Sequence, residues 1–363
     1  IDPNSLFSLN ISFYKCKSAL KLFHDDAPKM MLNFLEMFPN NVYFNEANLC
    51  IADYYYQKRL YTKSTQYYSF VDENSLQSMR RDNFNFKYAY SLFSIGDTEK
   101  ASFLFQELLL SPSEHQTTSK YYLACIAYQN LNFSTAEKYF LELIELGLYT
   151  HDAPMYLLNI YHQQHSFKQV ISFGLNYTDS LNIPSREIYK LIAEAYYREK
   201  IYDKAIYYFK DKYLSLEEKL DAQGYYLLGQ SYYKLNEYAQ ASSAFNKIIQ
   251  ADDSLTQNAY YYLGDCYLNL NDKRSAQNAF ESASNYDFNL RITEHSSFNF
   301  AKLCYELGYP YADPTMILQD FINDFPDSEY LDEAYSYLVN AFLTHKDYSR
   351  AIKSMEINGL ENI

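Results

Sequence analysis

The 363-residue chain carries 31 Lys and Arg against 45 Asp and Glu, which gives a formal net charge of −14. An acidic surface repels phosphate backbones and anionic lipids, so we expect no nucleic-acid partner and no binding to membrane surfaces. The length exceeds that of one compact domain and favours several domains or an elongated array.

Composition also constrains the elements. Only eight Gly and nine Pro predict long regular segments, and 42 Tyr and 25 Phe supply rings that can fill a core or line a groove. No apolar run approaches the roughly 20 residues that span a bilayer, so we expect no direct membrane insertion. The chain begins at Ile1 without a Met, and we expect a fragment or a processed form. Five widely spaced cysteines predict small buried residues rather than disulfides.

The predicted elements begin with a helix pair in residues 1–44. Helical patterns run from Phe13 to Phe23 and from Pro28 to Phe38. Asp26 is expected to cap the second of these helices.

Residues 45–288 contain seven repeats. Gly229 and Gly264 lie 35 residues apart, and each is followed by tyrosine after three residues and alanine after twelve. Equivalent small or apolar residues, which we call anchors, recur every 34 to 37 residues: Ala52, Ala89, Ala124, Leu158, Ala193, Gly229 and Gly264. The residues twelve positions after the anchors are Ser64, Ala101, Ala136, Val170, Ala205, Ala241 and Ala276. The residues sixteen positions after the anchors are Tyr68, Phe105, Phe140, Gly174, Phe209, Phe245 and Phe280.

Each repeat predicts two amphipathic helices joined by a short turn. The anchors are small because two helix backbones approach closely there, and a larger side chain would overpack the contact. Turns are predicted at Gly96, Asn132, Asn236 and Asn271, and ends of units at Pro39, Pro112, Pro184 and Pro326. Gly174 stands where a ring is expected, which predicts a loosely packed second helix.

Two further helix pairs follow. Residues 289–331 form an irregular pair, with a first helix from Ser297 to Leu307 and an interruption around Pro310. Asp313 is expected to cap its partner helix, which Pro314 opens. Residues 332–363 form a last pair, in which Val339, Phe342, Ala351 and Met355 fit the repeat template.

The repeat resembles the tetratricopeptide repeat family, whose pattern is Leu-Gly-x-x-Tyr, then Ala-x-x-x-Phe, then Pro. Leu228 to Tyr232 with Ala241 and Phe245 carries the pattern best, although no unit has the family's Trp. The resemblance implies an all-α fold of about ten helix pairs, stacked into a right-handed superhelical solenoid.

Two connectors have a narrower resemblance. Residues 38–41 and 325–328 each begin with Phe-Pro and precede a Glu-Ala pair. They are similar to connectors in bacterial cell-envelope repeat proteins, namely the outer-membrane assembly lipoprotein and the periplasmic partner of the Tol-Pal system. This likeness implies a periplasmic or outer-membrane-associated location, with a cytoplasmic location as the alternative.

In a stacked array of this family the first helices line the concave side. Residues three before, one after and four after each anchor share one helical face, which we call the first-helix face. With two neighbouring basic residues, the predicted partner-binding residues are Tyr56, Tyr90, Phe93, Tyr121, Tyr128, Asn159, His162, Lys190, Tyr197, Arg198, Tyr226, Tyr233, Lys234 and Tyr261. Tyrosines with exposed ring faces suit recognition of a peptide or helix. The alternative is that the rings pack against the first helix of the next unit.

Some family members hold a partner's C-terminal carboxylate with Lys, Asn and Arg side chains. Asn159, Lys190, Arg198 and Lys234 are the nearest counterpart, although their spacing differs from the family's clamp. His162 and His165 are the best metal candidates, but the turn between them disfavours a site, so we expect no metal and no cofactor.

No phosphate-binding loop, nucleophile elbow or zinc-protease motif is present in the sequence. The sequence therefore predicts a non-enzymatic scaffold that binds a protein or peptide, as part of a larger bacterial envelope protein. The alternative is a substrate-recruiting domain of an enzyme or regulator whose catalytic domain lies elsewhere.

Overall fold

A computed structural model describes residues 6–39, 41–110, 112–181, 185–216, 219–308 and 313–357. These residues form helices and turns without any strand, so the all-α prediction is confirmed. The chain divides into two compact units, residues 1–160 and 161–363, and the division falls within one helix. Within the described residues, no helix combines the length and the apolar character needed to cross a bilayer.

In the first unit the helices pack in chain order. They are α1 (Leu6–Lys21), α2 (Ala27–Met37), α3 (Phe44–Gln57), α4 (Tyr61–Tyr68), α5 (Ser78–Ser94), α6 (Thr98–Leu110), α7 (Gln116–Gln129) and α8 (Phe133–Glu145), and α9 (Ala153–Gln163) contains the division. A 3₁₀ turn (Glu73–Ser75) precedes α5.

The second unit continues the same alternation. Its helices are α10 (Phe167–Leu181), α11 (Arg186–Arg198), α12 (Tyr202–Ile206), α13 (Ala222–Lys234), α14 (Tyr238–Phe245), α15 (Ser254–Asn269), α16 (Lys273–Ser284), α17 (Leu290–Leu307), α18 (Pro314–Asp324), α19 (Leu331–Thr344) and α20 (Tyr348–Ile357). Odd-numbered helices are the first helices of their pairs, and α11, α13, α15 and α17 each also contact the next first helix along the chain.

The anchors lie in the tightest helix–helix contacts. All seven are buried, and so are the residues twelve and sixteen positions after them. A Cβ atom placed on Gly229 would lie 2.7 Å from Phe245 Cε1, and one on Gly264 would lie 2.6 Å from Phe280 Cε1. Glycine is therefore required at these two positions unless the facing ring moves.

In every helix pair whose turn the structure describes, the turn is the same kind of C-cap. One residue takes a left-handed backbone, as at Gly96, Leu131 and Asn236. The next residue donates its backbone N–H to a carbonyl five residues back, for example Asn132 to Ala127 at 2.8 Å. The turn predictions at Gly96, Asn236 and Asn271 are thus confirmed. Asn132 also lies in its predicted turn, between α7 and α8, but Leu131 takes the left-handed backbone there and the Asn132 side chain caps α8.

Some predicted helix ends need correction. α17 begins at Leu290, seven residues before the predicted start, because Asn289 caps it there by accepting from the Arg291 backbone N–H. Asp26 stands at the predicted N-cap of α2 but accepts no cap hydrogen bond, since its backbone is already in the helical region.

Other predicted ends are confirmed. Asp313 accepts from the Thr315 backbone N–H at 2.9 Å, and Pro314 opens α18. Pro39, Pro112 and Pro326 follow α2, α6 and α18, whereas Pro184 and Pro310 lie outside the described residues.

Two second helices depart from the regular pattern. The helix after α11 changes from α12 into a π-helical segment, Tyr207–Tyr213. In α10, Gly174 is buried, and Phe173 one residue earlier makes an edge-to-face contact with Tyr161 at 6.0 Å. The same contact joins Tyr55 to Tyr67 and Tyr196 to Tyr208 in other repeats, so it does not replace the ring that is missing at Gly174.

The two flanks of the chain share one arrangement. The equivalent residues, 285 or 287 positions apart, are Phe13 and Phe298, Lys17 and Lys302, Phe38 and Phe325, Tyr43 and Tyr330, and Glu46 and Glu333. In each flank the tyrosine stacks on the first-helix phenylalanine, with ring centroids 4.1 and 4.7 Å apart. In each, the lysine Nζ also pairs with the glutamate Oε1, at 2.8 and 2.9 Å. The connector around Phe38 and the connector around Phe325 therefore have the same structure.

Candidate partner-binding surface

Every predicted partner-binding residue lies on a first helix. The first unit holds Tyr56, Tyr90, Phe93, Tyr121, Tyr128 and Asn159, and the second holds His162, Lys190, Tyr197, Arg198, Tyr226, Tyr233, Lys234 and Tyr261. Arg198 and Lys234 are exposed, and the other twelve are half-buried. None of them belongs to the buried core.

In the first unit the rings contact one another from helix to helix. Tyr56 of α3 meets Tyr90 of α5 edge to face, with centroids 5.8 Å apart. Tyr90 in turn meets Tyr122 of α7 at 5.3 Å, and Phe93 meets the same ring at 5.2 Å. The packing alternative raised from the sequence therefore accounts for one side of each of these rings.

A contact among three aromatic rings recurs between consecutive repeats. A tyrosine two residues before an anchor stacks nearly parallel on the second-helix phenylalanine of the preceding unit: Tyr122 on Phe105, Tyr156 on Phe140 and Tyr262 on Phe245, at 5.3, 4.8 and 5.7 Å. The edge of a first-helix tyrosine (Tyr90, Tyr128 and Tyr233, respectively) meets each stacked ring. These stacked tyrosines were not predicted from the sequence, although all three stand two residues before an anchor.

Burial raises the pKa of three tyrosine hydroxyls on the first-helix face. It raises the pKa of Tyr56 and of Tyr261 to about 12. Burial and the neighbouring Asp265 carboxyl raise the pKa of Tyr233, whose hydroxyl donates to Asp265 Oδ2 at 3.2 Å. Burial also raises the pKa of Asp265 itself. These three phenol groups therefore stay neutral well above pH 7.

Ion pairs link neighbouring first helices. Lys87 Nζ lies 3.0 Å from Asp53 Oδ1 in the first unit. In the second unit, Lys190 Nζ lies 2.6 Å from Asp221 Oδ2 and 3.9 Å from Glu194 Oε1. A partner carboxylate must compete with both of these acids for Lys190, which disfavours the clamp considered above.

The remaining basic and histidine side chains are also engaged locally. The Arg198 guanidinium lies 6.0 Å from the Tyr197 ring, and Lys234 Nζ lies 5.9 Å from the Tyr233 ring. His162 Nε2 lies 3.2 Å from a Glu194 carboxylate oxygen. Among the described residues, no group of three or more His, Cys, Asp or Glu side chains is arranged to hold a metal ion.

Comparison with known proteins agrees with this helix-pair arrangement. The sequence profile of the tetratricopeptide repeat matches residues 226–287, which run from α13 to just beyond α16. No curated protein matches the chain.

Among solved structures, the chain is similar to a tetratricopeptide repeat protein from Parabacteroides merdae ATCC 43184, with 16% identity, a TM-score of 0.32, and coverage of 82% of this chain and 98% of that one. It is also similar to the TPR domain of P58(IPK), with 15% identity, a TM-score of 0.29, and coverage of 98% and 94%. The profile match, with the buried anchors that continue its spacing on either side, supports the tetratricopeptide repeat superfamily for this chain.

Proposed function

We propose that the chain is a non-catalytic scaffold that binds a partner protein or peptide along its first-helix face. The observation that carries this proposal is the half-buried state of the tyrosines. One side of the ring packs against the next repeat, and part of each ring remains open to solvent. Rigid rings with a polar tip contribute contact area at low entropic cost, which is why tyrosine is enriched in binding hot spots.

Electrostatics indicates the kind of partner. The chain carries a net charge of −14, and Lys190 on the second unit's face is already paired with acids. A neutral or basic partner segment avoids repulsion, and an acidic one is disfavoured.

Affinity capture from the native host tests the proposal. The test variant is Tyr197→Ala with Tyr233→Ala, and the matched control is Tyr207→Ala with Tyr348→Ala, whose rings lie on second helices and are at least 40% exposed. We expect the test variant to recover about tenfold less partner than the wild type, because hot-spot tyrosines dominate such interfaces. The control should recover as much as the wild type.

Both variants need melting temperatures close to that of the wild type for the comparison to be valid. A second pair, Tyr56→Ala with Tyr90→Ala, repeats the test in residues 1–160. Equal recovery by the wild type and both first-helix variants would refute the proposal.

The cell-envelope location is a narrower part of the same proposal. It rests on the resemblance of residues 38–41 and 325–328 to connectors of envelope repeat proteins. The two connectors also share one conformation, with φ −127° and ψ 69° at Phe38 against φ −125° and ψ 63° at Phe325. Each donates its N–H to the carbonyl four residues back at 3.0 Å. Fractionation of native cells with an antibody against the chain tests this part. Recovery in the envelope fractions is expected, and recovery in the cytoplasm would contradict it.

A further inference from the structure

A cavity of about 600 Å³ opens between α15, the start of α17 and the loop before α19. This volume falls within the range of about 300 to 1,000 Å³ that is typical of small-ligand sites. Tyr261, one of the predicted partner-binding residues, lines it, so the cavity continues the first-helix face of the second unit.

Three rings form one wall of the cavity. The His295 ring lies between two tyrosines, with centroids 5.2 Å from Tyr261 and 5.5 Å from Tyr330. Both contacts are edge to face, at 67° and 74°, so neighbouring rings face different directions. Tyr330 is held in place because it also stacks on Phe298 at 4.7 Å. Such a wall offers more than one ring face to a single group.

Carboxylates outnumber cations around the rings. Glu294, Asp327 and Glu329 line the cavity with Arg291 as their basic neighbour, which gives a formal charge of −2. A cation that enters would gain both from the carboxylates and from the electron-rich ring faces.

The other flank of the chain shows that the fold does not require these acids. The shared arrangement places Leu9 and Asn10 where Glu294 and His295 stand, and Val42 where Glu329 stands. There Tyr43 still stacks on Phe13, and its hydroxyl donates to the Asn10 side chain at 2.8 Å. The same arrangement therefore forms with apolar residues at the two glutamate positions, so the fold does not require these acids.

We propose that this cavity binds the cationic side chain of an arginine or lysine in the partner segment. The ammonium or guanidinium group lies against the rings of Tyr261, His295 and Tyr330, and the carboxylates of Glu294 and Glu329 balance its charge. The inference rests on the proposed function, because it assigns a side-chain specificity to one part of the binding face. Arg291 repels the incoming cation and limits its affinity.

Short defined peptides test this site without knowledge of the natural partner. The probes are acetylated pentapeptide amides with Gly-Ser before and Ser-Gly after a central arginine, lysine or citrulline. Citrulline is the neutral isostere of arginine. Dissociation constants for the whole chain are measured by ligand-observed NMR titration. We expect the arginine and lysine peptides to bind about three- to tenfold more tightly than the citrulline peptide, as one desolvated cation–π contact allows.

The variants convert the cavity to the form found in the other flank. Glu294→Leu with Glu329→Val should abolish the preference for arginine over citrulline, with little change in melting temperature. Asp203→Asn with Asp211→Asn removes the same number of charges from exposed positions of a second helix, and it should keep the preference. Arg291→Gln should tighten arginine binding by about twofold, because a repulsive charge is removed.

Equal binding of arginine and citrulline peptides by the wild type, or no binding at millimolar peptide, overturns the proposal. So does a loss of preference that is as large in the Asp203 and Asp211 variant. These outcomes leave the scaffold function standing if the Tyr197 and Tyr233 variant still loses its captured partner. Conversely, unchanged capture by both first-helix variants refutes the scaffold function even where the peptides bind.

Discussion

Substitution of Gly264 by alanine tests the physical reason for the repeat. A Cβ atom there would lie 2.6 Å from both Cε1 and Cζ of Phe280 and 2.7 Å from Cε2. Phe280 is fully buried, so its ring can make room only by displacing packed neighbours. Overpacking of this kind costs about 1 to 3 kcal/mol. Alanine would otherwise be favoured over glycine inside a helix by about 1 kcal/mol.

We therefore expect Gly264→Ala to lower the free energy of unfolding by about 1 kcal/mol, the balance of the clash and the helix propensity. Urea denaturation followed by circular dichroism at the helical minimum measures this difference. Because repeat arrays need not unfold in one step, the comparison uses the transition that the substitution shifts.

A double-mutant cycle isolates the clash. In a Phe280→Leu background the ring is gone, and Gly264→Ala should become neutral or stabilising. The coupling between the two substitutions should then be about 1 to 3 kcal/mol. If Gly264→Ala stabilises the wild type, or if the two effects simply add, close backbone approach is not the reason for glycine at the anchor.

Three further predictions concern single side chains. The backbone of Leu131 is left-handed and its side chain is 70% exposed, so Leu131→Gly should raise the free energy of unfolding, measured in urea, by about 0.5 to 1 kcal/mol. A lower free energy of unfolding would contradict the left-handed turn. Burial alone would raise the pKa of Glu46, but hydrogen bonds from Lys17 and Arg80 lower it below 4.5. The stability that ionised Glu46 contributes is therefore present above pH 4.5 and is lost as the pH falls through its folded-state pKa. Glu46→Gln should lower the free energy of unfolding by about 1 kcal/mol at pH 7 and should have no effect near pH 2. Equal urea midpoints for the wild type and Glu46→Gln at pH 7 would contradict the ion pairs. Burial raises the pKa of Cys266 to about 12, so mass-spectrometric mapping of alkylation at pH 8 should find it unmodified until denaturant is added.

The sequence predicted the repeat well because tight packing leaves few choices. Where two helices touch, only a small residue fits, so Gly229 and Gly264 recur at fixed distances from their partner rings. The turns were less predictable from residue type. Leu131 and Lys200 take left-handed backbones because the hydrogen bonds of the C-cap stabilise the turn, whichever side chain is present.

The candidate surface was predictable in position but not in detail. Helical periodicity identified the face, because the offsets from an anchor fix which side chains share it. It did not predict that Tyr122, Tyr156 and Tyr262 pack against the first-helix tyrosines. The position two residues before the anchor carries lysine, leucine or cysteine in the other repeats. The cavity beside Tyr330 was also missed, because it depends on how a loop places residues distant in sequence from Tyr261.

Hydrogen exchange on the complex with the captured partner tests the central claim, that the first helices form the binding surface. Amide exchange is measured by mass spectrometry for the chain alone and for the complex. We expect slower exchange on binding in α11, α13 and α15 and unchanged exchange in the second helices α14 and α16. Protection confined to α14 and α16, with α11, α13 and α15 unaffected, would contradict it.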